Sequence, residues 1–164
     1  MKSLILILLV VAAGFFSGCS KSGTATAKNE KPHLHVDQPP HGGTAVDLGE
    51  EYHVEFVHDP ANAKLQAYVL DDEMEEFIRS SSKSFDITVQ AEGHQERLHF
   101  DAVANRATGE AVGDTSQFEA QADWLRATTN FDGVLGEIIV RGTTYTNIAF
   151  NFPKGSDTDE KANK

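Results

Sequence analysis

Five of the seven histidines in the 164-residue chain fall between residues 33 and 58, in HLHVDQPPHGGTAVDLGEEYHVEFVHD. Imidazole is the commonest metal ligand and is largely neutral above pH 7. His33 and His35, one residue apart, can bring two nitrogens to one ion, and His41 and His58 can complete the set. Asp37 and Asp59 are candidate oxygen donors, with His53 and Glu55 as secondary candidates. A mixed nitrogen and oxygen site of this kind suits zinc, copper(II) or nickel(II). It does not suit copper(I), because Met74 is the only methionine besides Met1 and Cys19 is the only cysteine. Each histidine also has a plainer reading. His33 and His35 are linker residues in water, His53 is an exposed strand residue beside Asp47 or Glu55, and His58 caps the Asp59-Pro60 turn. Gly42-Gly43 then serves the backbone, allowing a bend or a close approach. His94 and His99, in a later hairpin, show no partner in the sequence.

These side chains sit in a succession of short alternating segments. Residues 44–48, 52–58, 65–70, 85–91, 97–103, 118–122, 136–141 and 144–152 read as strands, separated by turn signals such as Gly49, Asp59-Pro60, Gly93 and Gly142. The pattern predicts an all-β domain, an antiparallel β-sandwich of Ig-like or related type with roughly eight short strands. Residues 71–83, acidic and polar, read as a wide loop or a short helix, and Trp124-Leu125 as one helical turn over an end. The first hairpin has a definite expected register. A loop at residues 49–51 pairs Leu48 with Tyr52, Val46 with Val54 and Thr44 with Phe56, which puts every apolar side chain on one face. Extended further, that register sets Gly42 opposite His58 and makes His41 a neighbour of His58. His53 falls on the other face, opposite Asp47.

The N-terminus, MKSLILILLVVAAGFFSGCS, has a basic start and an apolar run over residues 4–16. The run is shorter than the about 20 residues a membrane-spanning helix needs, and it ends in small residues as an export signal does. Phe16-Ser17-Gly18-Cys19 resembles a bacterial lipobox, with Phe16 where Leu is usual. The resemblance implies a signal peptide over residues 1–18 and a mature chain lipidated at Cys19. Multiple acyl chains would tether it stably to a membrane without crossing it. Ser20 follows the cysteine, and the absence of Asp there implies the outer membrane. Residues 19–39 then form a flexible tether carrying His33 and His35, residues 40–152 a single domain, and residues 153–164 a disordered polar tail. The formal charge of −11 argues against nucleic acid or an anionic membrane surface as a partner of the folded part.

The stretch HGGTAVDLGEEYHVEFVHDPANAKLQAYVLD further resembles a small bacterial domain with a His-Gly-Gly start, a glycine-centred turn, Tyr-His-x-Glu, and a later strand ending Tyr-x-Leu-Asp. It occurs in envelope lipoproteins and ahead of the membrane-fusion subunits of some heavy-metal efflux pumps. The matching positions are His41, Gly42, Gly43, Gly49, Tyr52, His53, Glu55, Tyr68, Leu70 and Asp71. The resemblance implies an envelope setting connected with metal. Nothing in the chain makes a catalytic constellation. There is no G-x-S-x-G, phosphate loop or dinucleotide fingerprint, and Ser80-Ser81-Ser82-Lys83 matches S-x-x-K without its companion motifs. The expected function is metal buffering or handover by a tethered, non-catalytic domain. The other reading is a structural or interaction lipoprotein that docks an envelope protein.

Overall fold

In the computed structural model the alternating segments become eight antiparallel strands: β1 (Thr44–Leu48), β2 (Tyr52–Asp59), β3 (Lys64–Asp71), β4 (Ser84–Ala91), β5 (His94–Ala102), β6 (Gln117–Gln121), β7 (Phe131–Val140) and β8 (Thr143–Phe152). The structure describes residues 38–156, apart from residue 92 and the side chain of His94. The expected signal peptide, Cys19, the tether with His33, His35 and Asp37, and residues 157–164 lie outside the described residues.

The all-β antiparallel class and the eight strands are as expected. The strands belong to one continuous sheet in the order β1-β2-β3-β6-β5-β4-β7-β8. The sheet curls until its two edges approach, and residues 153–156 bridge the gap. Thr44 Oγ1 donates to the Pro153 carbonyl at 3.2 Å, and the Asp47 amide donates to Ser156 Oγ at 2.8 Å. Residues 153–156, expected in the disordered tail, are therefore part of the domain. The backbone of Gly155 also exchanges hydrogen bonds with Asn151. The seam is tight enough that a Cβ on Gly155 would strike the Ala45 carbonyl.

Alternation sends one row of each strand inward. Phe56, Phe85, Phe100, Phe118, Phe131, Phe150 and Phe152 are all buried, together with Val46, Val54, Leu65, Ile87, Leu135 and Ile138. The rings touch across the interior: Phe85 stacks on Phe100 at 4.6 Å and Phe56 on Phe150 at 5.0 Å. Gly133 lies directly opposite Phe150 and has no room for a side chain, since a Cβ would come within 2.5 Å of that ring. The expected helical turn is a short 3-10 segment, Asp123–Arg126, whose Leu125 is buried at one end of the core. Residues 72–83 form the wide loop rather than a helix.

Candidate functional site

The β1–β2 register is the expected one at every pair, including Asp47 opposite His53. It stops at Thr44. Gly42 takes a left-handed φ of +68°, which costs glycine little, and its amide donates to the Pro39 carbonyl. Gly43 then presses on β2 so closely that a Cβ would sit 2.5 Å from the Phe56 carbonyl oxygen and 2.9 Å from Glu55 Cγ. The two glycines turn the chain across β2 instead of along it, and His41 lands on the sheet's outer face.

There Glu55 is fully buried under the crossing segment. Its Oε1 accepts the amides of His41 at 2.9 Å and Gly43 at 2.8 Å, and its Oε2 lies 2.8 Å from His41 Nδ1. A buried carboxylate needs such partners, because an unpaired charge out of water is very costly. Facing only acceptor oxygen, Nδ1 carries a ring proton, so that in the neutral ring Nε2 presents its lone pair. The imidazole stacks on Tyr68 at 4.0 Å, with Phe77 5.7 Å away. Tyr68 is the direct β3 partner of Glu55 and Gln117 the β6 partner of Tyr68, so one row across three strands builds the floor. Gln117 Nε2 donates to the Tyr68 hydroxyl oxygen at 3.3 Å. Burial, with Glu55 and Glu119 nearby, raises the Tyr68 hydroxyl above the usual phenol range and keeps it protonated.

Beside this row lies a cavity of about 440 Å³, walled by His41, Tyr68, Phe77 and Gln117 on one side and by Arg79, Asn105, Thr108, Glu110 and Ser116 on the other. The second wall is cross-tied. Arg79 donates to Asp114 Oδ2 at 2.8 Å and to the Thr108 carbonyl at 2.7 Å. Glu110 accepts the Ser116 amide and hydroxyl at 2.8 and 2.7 Å and the Thr108 hydroxyl at 2.7 Å. Burial pushes the Glu110 carboxyl up, but these hydrogen bonds outweigh it and leave it below its ordinary 4.5. A carboxylate lowered in the fold stabilises it fully above the unfolded value and loses that contribution as pH falls through the folded value. The Ser116 amide proton shift, followed by NMR in an acid titration, is expected to turn over below pH 4.5, and a midpoint above that contradicts the assignment.

The geometry separates the histidines. His41 and His58, expected as neighbours, lie on opposite faces of β2. His58 points with Phe56 toward the core, packs edge-on to Phe152 at 5.8 Å and donates from Nε2 to the Leu125 carbonyl at 2.6 Å. The turn after it is capped instead by Asp59, whose carboxylate takes both the amide and side-chain nitrogen of Asn62. Asp59 is thereby committed to the turn. His53 is where the register put it, with Nε2 3.2 Å from Asp47 and Nδ1 3.1 Å from the Asp71 carbonyl. His99 does have partners, Asp86 at 2.7 Å and Asp101 at 3.4 Å, while Arg97 also pairs with Asp86. Ser80 and Ser82 are tied to the Ile139 backbone, which gives S-x-x-K a structural use. Among the described residues no group of three or more histidine, cysteine or acidic side chains is placed to hold a metal ion. Phe77, Arg79, Asn105 and Glu110 were not singled out in the sequence, where no local pattern links them to His41.

The chain matches no protein-family model, no curated protein and no solved structure.

Proposed function

We propose that this chain is an exported, non-catalytic envelope lipoprotein, anchored through Cys19 with the outer membrane favoured, whose β domain binds a divalent transition metal for buffering or handover. The observation that carries the reading is the His41–Glu55 pair. Metal-ligating histidines commonly donate their second ring nitrogen to a carboxylate, which fixes the tautomer and aims the free nitrogen. His41 has that arrangement, and its Nε2 has no hydrogen-bond partner among the described residues. In this reading His41 is the anchored ligand and His33 and His35 supply further nitrogens, with zinc or copper(II) as the ion. The link from His35 to His41 can span up to roughly 20 Å, ample for convergence. His58, turned to the core, is no longer a ligand.

Isothermal titration of the full chain in detergent with Zn²⁺ and with Cu²⁺ tests this. His41→Ala, and His33→Ala with His35→Ala, are each expected to weaken binding by at least about tenfold, while His58→Ala changes it by less than about twofold. Binding that survives all three substitutions at residues 33, 35 and 41 sinks the proposal.

A further inference from the structure

The cavity beside His41 has features that a metal ligand alone does not require. Its charged groups already have partners: Glu110 has Ser116 and Thr108, and Arg79 has Asp114, while Glu55 behind His41 is held by His41 and Gly43. A neutral ligand displaces none of these partners. What remains toward the cavity is neutral and mixed. The Tyr68 hydroxyl, which receives Gln117, still has its own proton to donate. Gln117 Oε1 and Asn105 Nδ2 have no partner among the described residues, and Asn105 Oδ1 is held by the Ala107 amide, which fixes the orientation of that amide group. Two donors and one acceptor are thus free on residues lining one space, a set that matches hydroxyl groups, each of which both gives and takes a hydrogen bond.

The aromatic side points the same way. Phe77 is 49% exposed, and it is the only aromatic among the exposed large hydrophobic residues of the described chain. It stands at the cavity beside Tyr68, ring centres 6.1 Å apart, and the two meet nearly edge to face. Such rings present a negative face to the weakly positive C–H groups of a saturated ring. A cleft of about 440 Å³ is within the range of ~300–1,000 Å³ typical of small-ligand sites.

We propose that this cavity binds a neutral, ring-bearing polyhydroxyl ligand, a hexose or N-acetylhexosamine unit of a glycan. The ring stacks on Phe77, and its hydroxyls are read by Tyr68, Gln117 and Asn105. The site does not depend on metal. It is tested on the full chain, in EDTA and in a detergent without a sugar headgroup, by isothermal titration and saturation-transfer NMR with glucose, N-acetylglucosamine, maltotriose and chitotriose. At least one of the four is expected to bind with a Kd of about 1 mM or tighter. Phe77→Ala is expected to weaken that binding about tenfold and Gln117→Ala about fivefold, with both variants melting close to the parent. Failure of all four sugars to bind up to about 10 mM overturns the proposal. So does sugar binding that both substitutions leave unchanged, or binding of tetramethylammonium or acetate in place of sugar. Because chelator is present throughout, a negative result here leaves the metal titration to be judged by itself.

Discussion

Replacing Glu55 with alanine is expected to cost about 3 kcal/mol of stability, a fall in Tm of roughly 10 °C. The side chain is fully buried and accepts three hydrogen bonds. Hydrogen bonds to a charged group contribute about 1.5–3 kcal/mol each, and water that follows the half-exposed His41 ring returns part of the loss. Without the carboxylate, the amides of His41 and Gly43 are left covered and unpaired, and the crossing segment loses its anchor. Circular dichroism during heating measures the effect, and a Tm within about 3 °C of the parent contradicts the account. Glu55→Gln separates the structural from the chemical role. Both backbone amides bond to the same oxygen, Oε1, which the glutamine carbonyl can reproduce. Its NH₂ then donates to His41 Nδ1, which forces the proton to Nε2 and removes the lone pair that a metal would use. This variant is expected to lose only about 1 kcal/mol of stability, yet about 10–100-fold in zinc affinity. Unchanged zinc affinity in Glu55→Gln excludes His41 Nε2 as a ligand.

Phe56→Ala is expected to cost about 3–5 kcal/mol, the usual range for emptying a buried phenylalanine site. That is a large part of the about 5–15 kcal/mol that holds a domain together. The ring lies between the two halves of the curled sheet. It stacks on Phe150 of β8 at 5.0 Å and meets Phe100 of β5 at 5.7 Å, so its loss opens a cavity shared by β2, β5 and β8. The neighbours are aromatic and mutually packed, which limits how far they can collapse into the space. Phe56→Leu, which keeps most of the volume, is expected to lose about 1.5 kcal/mol. Urea denaturation of both variants checks the pair. A cost under about 1 kcal/mol for the alanine variant means that the ring does not join the halves as described.

The alternation of apolar residues around Gly49 was enough to state the β1–β2 register residue by residue, and the structure has those pairs. Period-two patterning also located the eight strands, but β7 starts at Phe131 rather than residue 136, running through the expected Asp132-Gly133 turn, and β5 starts at His94 rather than residue 97. These features are local: a side chain's face follows from its neighbours two positions away, and one buried face permits one register. Order at residues 153–156 was not legible, because it comes from contacts with β1 more than 100 positions earlier in the chain.

The candidate site divides along the same line. The sequence linked His41, Gly42, Gly43, Glu55 and Tyr68 only through a resemblance, while the hairpin register by itself placed His53 away from the core beside Asp47. Only the tertiary structure decided which histidine Glu55 serves. A glutamate between Val54 and Phe56 reads as a solvated outer residue, and it becomes buried because Gly43 leaves space for the chain to cross over it. That crossing carries His41 away from His58 and onto Tyr68. Gln117 and the far wall, from Arg79 to Ser116, join it only when the β3–β6 pairing brings distant segments together. Pairing between strands far apart in sequence depends on how the whole sheet closes, and no local spacing encodes it.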